Sequence, residues 1–452
     1  MNSKSTMDLC NGPLLKKIIA FTVPVIFSGL LQLTFSTVDM IVIGRFCGSD
    51  SLAAVGATGA LTNLIVSLFL GLSVGSSVSI SHAIGSRNKK EIDRVLHTSV
   101  LTAFFVGLIL MVIGLFVSKS LLRLMGTPSE IIDKSAIYLK IIFIGMPINM
   151  LYNYCAGMLR SSGDSMRPLI YLTVGGVANL FINIFLVTVI RLDVIGVAIG
   201  TVLSQLLSLI LTLRRLICGT EYLKLKRIKM HMSRPHLFKI LKIGIPSGLN
   251  DVAFNIANTF IQSSVNIFGP VAIAANSAAA SIEGFSCAFT NLSQTSVTFI
   301  GQNMGARKYD RILKTILITT VFGIVIAIIF GYLTMTFGEN LLSIYCPDSP
   351  DTIKYGMVRL RVMVFTFILS GLLTTSSGVL RGMGYSFLSM LITLIGILGI
   401  RMAWLSIVFN QHKTLTILYM SYPVSQLFIV LANFIAIFII LKKLHKKKKI
   451  IE

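Results

Sequence analysis

Charge is the first shortage in this chain. Only 13% of its 452 residues are Asp, Glu, Lys or Arg, against about a quarter in an ordinary soluble domain. Acids are scarcer still, 17 against 40 Lys and Arg. The six cysteines (Cys10, Cys47, Cys155, Cys218, Cys287, Cys346) are scattered, with no CxxC pair. Neither a disulfide framework nor a zinc site is indicated by that spacing. No GxxxxGK[ST] loop and no HExxH occurs, so neither a nucleotide-driven motor nor a zinc hydrolase is built into this chain. The histidines are isolated from one another, and no Ser/His or His/Asp cluster lies near one face of the chain. An enzyme is not expected, and neither is a bound metal or organic cofactor.

Apolar length is abundant. Hydrophobic residues make up 54% of the chain, and mean hydropathy is +0.84. A bilayer needs about 20 apolar residues per helical crossing. Twelve runs meet that need, near 18–43, 52–81, 95–117, 133–154, 168–189, 194–213, 243–268, 271–300, 315–337, 356–378, 385–409 and 414–441. The fold class is therefore an all-α integral membrane protein with twelve transmembrane helices. Lys16 and Lys17 precede a first run too long for a signal-peptide core, so that run reads as span 1. With both ends inside, the inner segments carry 29 Lys and Arg and the outer segments 9, the latter including the 338–361 stretch with Arg359. Such an asymmetry places both termini in the cytoplasm of a cell-membrane protein. It also explains the net charge of +23 without nucleic acid: the partner of this basic surface is the lipid bilayer. The tail "KKLHKKKK" reads as a topology signal more than as a lipid-binding cluster.

The chain repeats itself. "LRSSGDSMRPLI" from Leu159 matches "LRGMGYSFLSML" from Leu380 at an offset of 221. The same offset, within two residues, relates Pro24 to Pro246 and "CGSDSLAAV" to "FGPVAIAAN". "GSRNKKEIDR" at Gly85 resembles "GARKYDR" at Gly305. The expected organisation is a cytoplasmic N-terminus (1–17), an N-lobe of spans 1–6 (18–213), a basic connector (214–242), a C-lobe of spans 7–12 (243–441) and a basic tail (442–452). Six spans is an even number, so the lobes share one orientation and form a parallel, pseudo-symmetric pair. Secondary transporters use such repeats, with binding near the midplane.

Polar residues inside the spans fall on helix faces. Gln32, Ser36 and Asp39 share one face of span 1, spaced +4 and +3. Asp251, Asn255, Asn258 and Gln262 share one face of span 7. Span 8 carries Asn276, Glu283, Cys287, Asn291 and Gln294, and span 10 carries Thr366, Ser370, Thr374 and Ser377. Lipid satisfies none of these groups, so the faces look at protein or at a water-filled cavity. The Asp/Asn/Gln stripe of span 7 reads as cavity lining, and the Ser/Thr stripe of span 10 as interhelical glue. Only Asp39, Asp251 and Glu283 among the acids fall well inside apolar runs. Insertion of a charged carboxylate at mid-bilayer costs about 2.5–3.5 kcal/mol, which marks these residues for function. Asp251 lies close to the cytoplasmic end, where exposure to an inward vestibule explains it. Asp39 maps by the repeat onto Phe260, so this carboxylate belongs to the N-terminal half alone. It can be neutralised by a proton taken on one side and released on the other, or by Na+ held with the oxygens of Asn179, Asn183 and Thr201. Arg401 in span 11 has two readings, counter-charge to a buried acid or a chain snorkelling outward.

Together these pieces resemble the multidrug and toxic compound extrusion (MATE) family, and its bacterial, Firmicute-like branch in particular. The resemblance rests on "PVIFSGLLQLTFSTVDMIVIGRFCGSDSLAAVG", "LRSSGDSMRP", "NLFINIFLVTVIRLDVIGVAIGT", "GIPSGLND", "NSAAASIEGF", "GQNMGARKYDR" and "VLRGMGYS" in that order. It implies two six-helix lobes around a central cleft and antiport of organic cations or other drugs against H+ or Na+. It also implies a cation-coupling site at Asp39, Asn179, Asn183 and Thr201. Here Asn183 stands where the family carries a second Asp, leaving Asp39 the sole acid of the four. Gln32, Ser36, Asn255, Asn258, Gln262 and Glu283 are expected to line the substrate cleft, with Glu283 attracting a cationic substrate. No cofactor other than the coupling ion is expected, and the protein is expected to act as a monomer. The alternative is a flippase for a lipid-linked precursor, or an exporter of an endogenous metabolite in the same superfamily. A flippase calls for basic residues within the cleft, where only Arg401 qualifies.

Overall fold

A computed structural model describes residues 6–219, 222–226, 231–286, 291–345 and 349–451. Cys287 of the span 8 stripe, Cys346, and parts of the N-terminus and connector lie outside the described residues. All regular structure among the described residues is helical. The spans are Leu14–Phe46, Ser49–Gly85, Lys89–Leu124, a broken pair Ser129–Ile144 and Met146–Ser161, Met166–Ile184 running on to Val189, and Asp193–Cys218. The second set is Arg234–Val265, Pro270–Ser286 with Leu292–Gly305, Tyr309–Tyr345, Pro350–Gly382, Ser386–Leu394 running on to Phe409, and Leu415–Ile451. Nine helices among the described residues are long and apolar enough to cross a membrane. Span 4 is broken at Gly145, ahead of Pro147, and span 7 is diluted by its polar stripe. The outer surface suits lipid. Phe116, Phe181, Phe365 and Phe438 are each largely exposed, a density of bare aromatics that marks a membrane-facing surface.

The chain forms two compact units. One comprises Met1–Leu9 with Val23–Gly248, and the other Cys10–Thr22 with Leu249–Glu452. Spans 1 and 7 thus each change unit part-way, at 22/23 and 248/249. Pro24 and Pro246 lie inside these helices beside the changeovers. A proline there removes a backbone hydrogen bond and crowds the preceding turn, which kinks a helix.

Within the first unit, span 2 meets the opening turns of span 7 at glycines. A Cβ on Gly71 would lie 2.1 Å from Gly248 N, and one on Gly75 would lie 2.2 Å from Ile240 O. Gly244 and Gly248 press back on the span 2 backbone at Leu72 and Leu68. Small residues four apart on both helices allow this approach. The described connector residues also pack on this unit. Leu223 is fully buried, and the buried His97 places Nε2 3.1 Å from the carbonyl oxygen of Lys226.

The sequence repeat has a backbone counterpart. Gly163 and Gly384 both adopt left-handed φ (90° and 89°), as do Gly48 and Gly269 (87° and 86°) and Arg87 and Arg307 (55° and 56°). Each pair closes the corresponding helix end in its own half. Glycine carries this conformation without a Cβ clash.

Candidate functional site

Each unit holds a polar cavity of its own. In the first, span 1 contributes Asp39, span 5 Asn179 and Asn183, and span 6 Thr201. Asn183 Nδ2 donates to Asp39 Oδ1 at 2.7 Å and to Asn179 Oδ1 at 3.2 Å. Thr201 stands beside the same carboxyl group, while its hydroxyl donates to Val197 O at 2.9 Å. All four residues predicted for cation coupling are therefore brought together. The helix of span 5 widens into a π turn at Phe185–Val189, two residues past Asn183, a feature common at functional positions. Gly200 makes room for Asn183, since a Cβ there would lie 1.9 Å from Asn183 Oδ1. That oxygen is buried and has no hydrogen-bond partner. Among the described residues no basic side chain pairs with Asp39.

The cavity around this site has a volume of about 640 Å³, and the separate cavity of the second unit about 470 Å³. Gln32 and Ser36 line the first, with Tyr138, Asn149, Asn153 and Gln205, which sequence reasoning did not single out.

In the second unit, Asn255, Asn258 and Glu283 line the cavity with Asp251. The residues grouped as a single cleft lining are thus divided between two cavities. Gln262 is absent from both walls. Its Oε1 accepts from Asn276 Nδ2 at 2.6 Å and its Nε2 donates to Asn266 Oδ1 at 3.3 Å. Asp251 is half-exposed, with Oδ1 4.0 Å from Arg381 Nη2.

Glu283 is not a free carboxylate. Arg359 donates through Nε to its Oε1 and through Nη2 to its Oε2, both at 2.7 Å. Asn276 Oδ1 accepts from both Arg359 Nη1 and Tyr419 OH, the latter at 3.0 Å. A bidentate guanidinium neutralises the acid, so the pair presents no negative charge to a cation. Arg359 does not belong to an outer loop; it is buried within the helix Pro350–Gly382. Its face was visible, because Arg359 lies seven residues before Thr366 and extends the span 10 stripe by two turns. That stripe serves both roles, with Ser370 donating to Gln426 Oε1 at 3.0 Å while also lining the cavity.

Arg401 matches neither of its sequence readings. It is fully buried, so it does not snorkel. It pairs with no acid among the described residues, and Nε and Nη2 instead donate to Ser425 Oγ at 3.2 and 3.0 Å. Arg359, Arg381 and Arg401 all border this cavity, where the sequence offered Arg401 alone.

Two repeated six-span units with polar cavities inside lipid-facing walls define a membrane transporter. The MatE family model matches residues 24–185 and 246–407, once in each half, and the chain belongs to that family. Its members are transporters and not enzymes. The probable multidrug resistance protein YoeA of Bacillus subtilis (strain 168) is 28% identical over 413 residues, 89% of each chain. The FAD transporter of Shewanella oneidensis is 26% identical over 357 residues, 78% of each chain. A solved multidrug resistance MATE family transporter of the MOP superfamily, in an outward-facing conformation, superposes with a TM-score of 0.90. It is 22% identical, and the match covers 99% of this chain and 100% of that one. The last likeness is one of fold.

Proposed function

We propose that this protein is a secondary-active efflux antiporter of the cell membrane, expelling small molecules in exchange for H+ or Na+ bound at Asp39. The carrying observation is the Asp39 carboxylate itself, held by Asn183 in a polar cavity with no basic partner among the described residues. An acid kept in a membrane without a counter-charge is suited to take a cation and release it. Asn183 and Asn179 fix its geometry, and Thr201 adds an oxygen. Both termini lie in the cytoplasm, following the basic inner segments, and the chain works as a monomer. A potential of 100 mV supplies about 2.3 kcal/mol for each charge moved, enough to concentrate a substrate outward. The names of relatives such as YoeA support drug-like substrates.

Three arginines on the second unit's cavity favour a second reading, export of an anionic endogenous metabolite. The relative named an FAD transporter is consistent with it.

The test is movement of ethidium in proteoliposomes under an imposed pH gradient, an imposed Na+ gradient or neither. Movement under one gradient alone is expected and names the ion. Movement that ignores both gradients would contradict antiport. No ethidium movement, with gradient-driven movement of an organic anion, would establish the second reading.

A further inference from the structure

The cavity of the second unit carries five charged side chains on its wall: Asp251, Glu283, Arg359, Arg381 and Arg401. Glu283 is consumed by Arg359 through two hydrogen bonds. Asp251 faces Arg381 at 4.0 Å. Arg401 is left over, a guanidinium with no relative exposure and no carboxylate within ion-pairing distance among the described residues. Its carbon lies 4.4 Å from the centre of the Tyr422 ring. Ser425 Oγ takes two of its nitrogens, and the third, Nη1, is buried without a partner.

An unpaired buried charge costs several kcal/mol. The fold nevertheless places this one with care. Arg401 opens a four-residue α-helical piece, Arg401–Trp404, set between π turns at Ile395–Ile400 and Leu405–Phe409. Tyr422, which supports the guanidinium, also borders the cavity.

We infer that this cavity receives an amphipathic monoanion, its carboxylate or comparable acid group docking on Nη1 of Arg401. One surplus positive charge matches one negative charge. A guanidinium edge offers the fork geometry that a carboxylate accepts. Apolar walls at Phe254, Met363, Phe367 and Leu373 suit the body of the ligand, and Gln426 offers a polar contact. The volume of about 470 Å³ lies within the range of small-molecule sites. This inference deepens the second of the two readings above, export of an anionic metabolite, by naming its ligand class, and it rests on that reading only for the word substrate.

The chain's only tryptophan, Trp404, stands one turn beyond Arg401. Its emission is therefore a built-in reporter of binding at this site. The full-length protein in non-ionic detergent is titrated with 4-tert-butylbenzoate and with its neutral counterpart 4-tert-butylbenzamide. The benzoate is expected to bind at least about tenfold more tightly. R401Q brings the benzoate affinity down to that of the benzamide, and R401K, which keeps the charge but loses the fork, falls between. Equal affinities for the two probes in the unmodified protein would overturn the inference. So would an R401Q protein that loses both probes equally. Should R401Q fail to fold, the probe pair on the unmodified chain and on R401K still decides. No gradient enters this measurement, so its failure leaves coupling at Asp39 standing, and failed coupling leaves the binding result standing.

Discussion

Asn183 holds the first unit's site together with one carboxamide. Its nitrogen donates to both Asp39 and Asn179, and its oxygen rests against Gly200. Gly200→Ala should therefore turn the carboxamide away from Asp39, because a Cβ at 1.9 Å has no room. Gradient-driven transport should fall by at least about tenfold, while circular dichroism and yield from the membrane stay as in the parent. Unimpaired transport would show that the Asn183 bond is dispensable. Glu283 makes a different prediction. Its pairing with Arg359 is buried, so Glu283→Gln or Arg359→Met alone should lower stability by about 3–5 kcal/mol through the stranded partner. The double variant should recover most of that loss in thermal unfolding. A Glu283→Gln protein as stable as the parent, with weakened cation transport, would restore the carboxylate to a substrate role. Asp39 was legible in the sequence because an acid inside an apolar run has few alternatives, and its grouping with Asn179, Asn183 and Thr201 followed from the family resemblance. Arg359 was less so: its spacing to Thr366 put it on the span 10 stripe, but the polar stretch before it reads as loop, and the pairing with Glu283 is visible only in the structure.

At the scale of helices, close approach and irregular turns position these side chains. Gly71 and Gly248 bring two backbones into contact. Gly71→Leu should wedge spans 2 and 7 apart, and the melting temperature of the purified protein should drop by several degrees. An unchanged melting temperature would mean that the helices do not need this approach. The repeated glycines at 163 and 384 were visible as a motif match, and their shared left-handed φ supplies the reason for the match. The π turns around Arg401 and after Asn183 were not legible, because their residues (FLVTV, IGILGI, LSIVF) are the apolar, β-branched and glycine types found throughout membrane-spanning helices. A shift of one residue in hydrogen bonding leaves no mark on composition.

At the scale of the whole chain, scarcity of charge and the 221-residue repeat conveyed twelve spans in two halves. The MatE match in each half agrees. What remained hidden was the changeover of spans 1 and 7 between compact units, since hydropathy marks where a helix is but not which neighbours it keeps. The division of the polar stripes into two cavities was hidden for the same reason. The two halves are proposed to have different tasks, with cation exchange at Asp39 in one and ligand binding beside Arg401 in the other. The direct measurement of coupling at Asp39 is H+ and Na+ flux in proteoliposomes containing the parent or the Asp39→Asn protein, with a transported substrate imposed as the driving gradient. Substrate should drive counter-flux of one of these ions in the parent and of neither in Asp39→Asn, although the variant still reaches the membrane folded. Equal ion flux in both proteins would contradict coupling at Asp39.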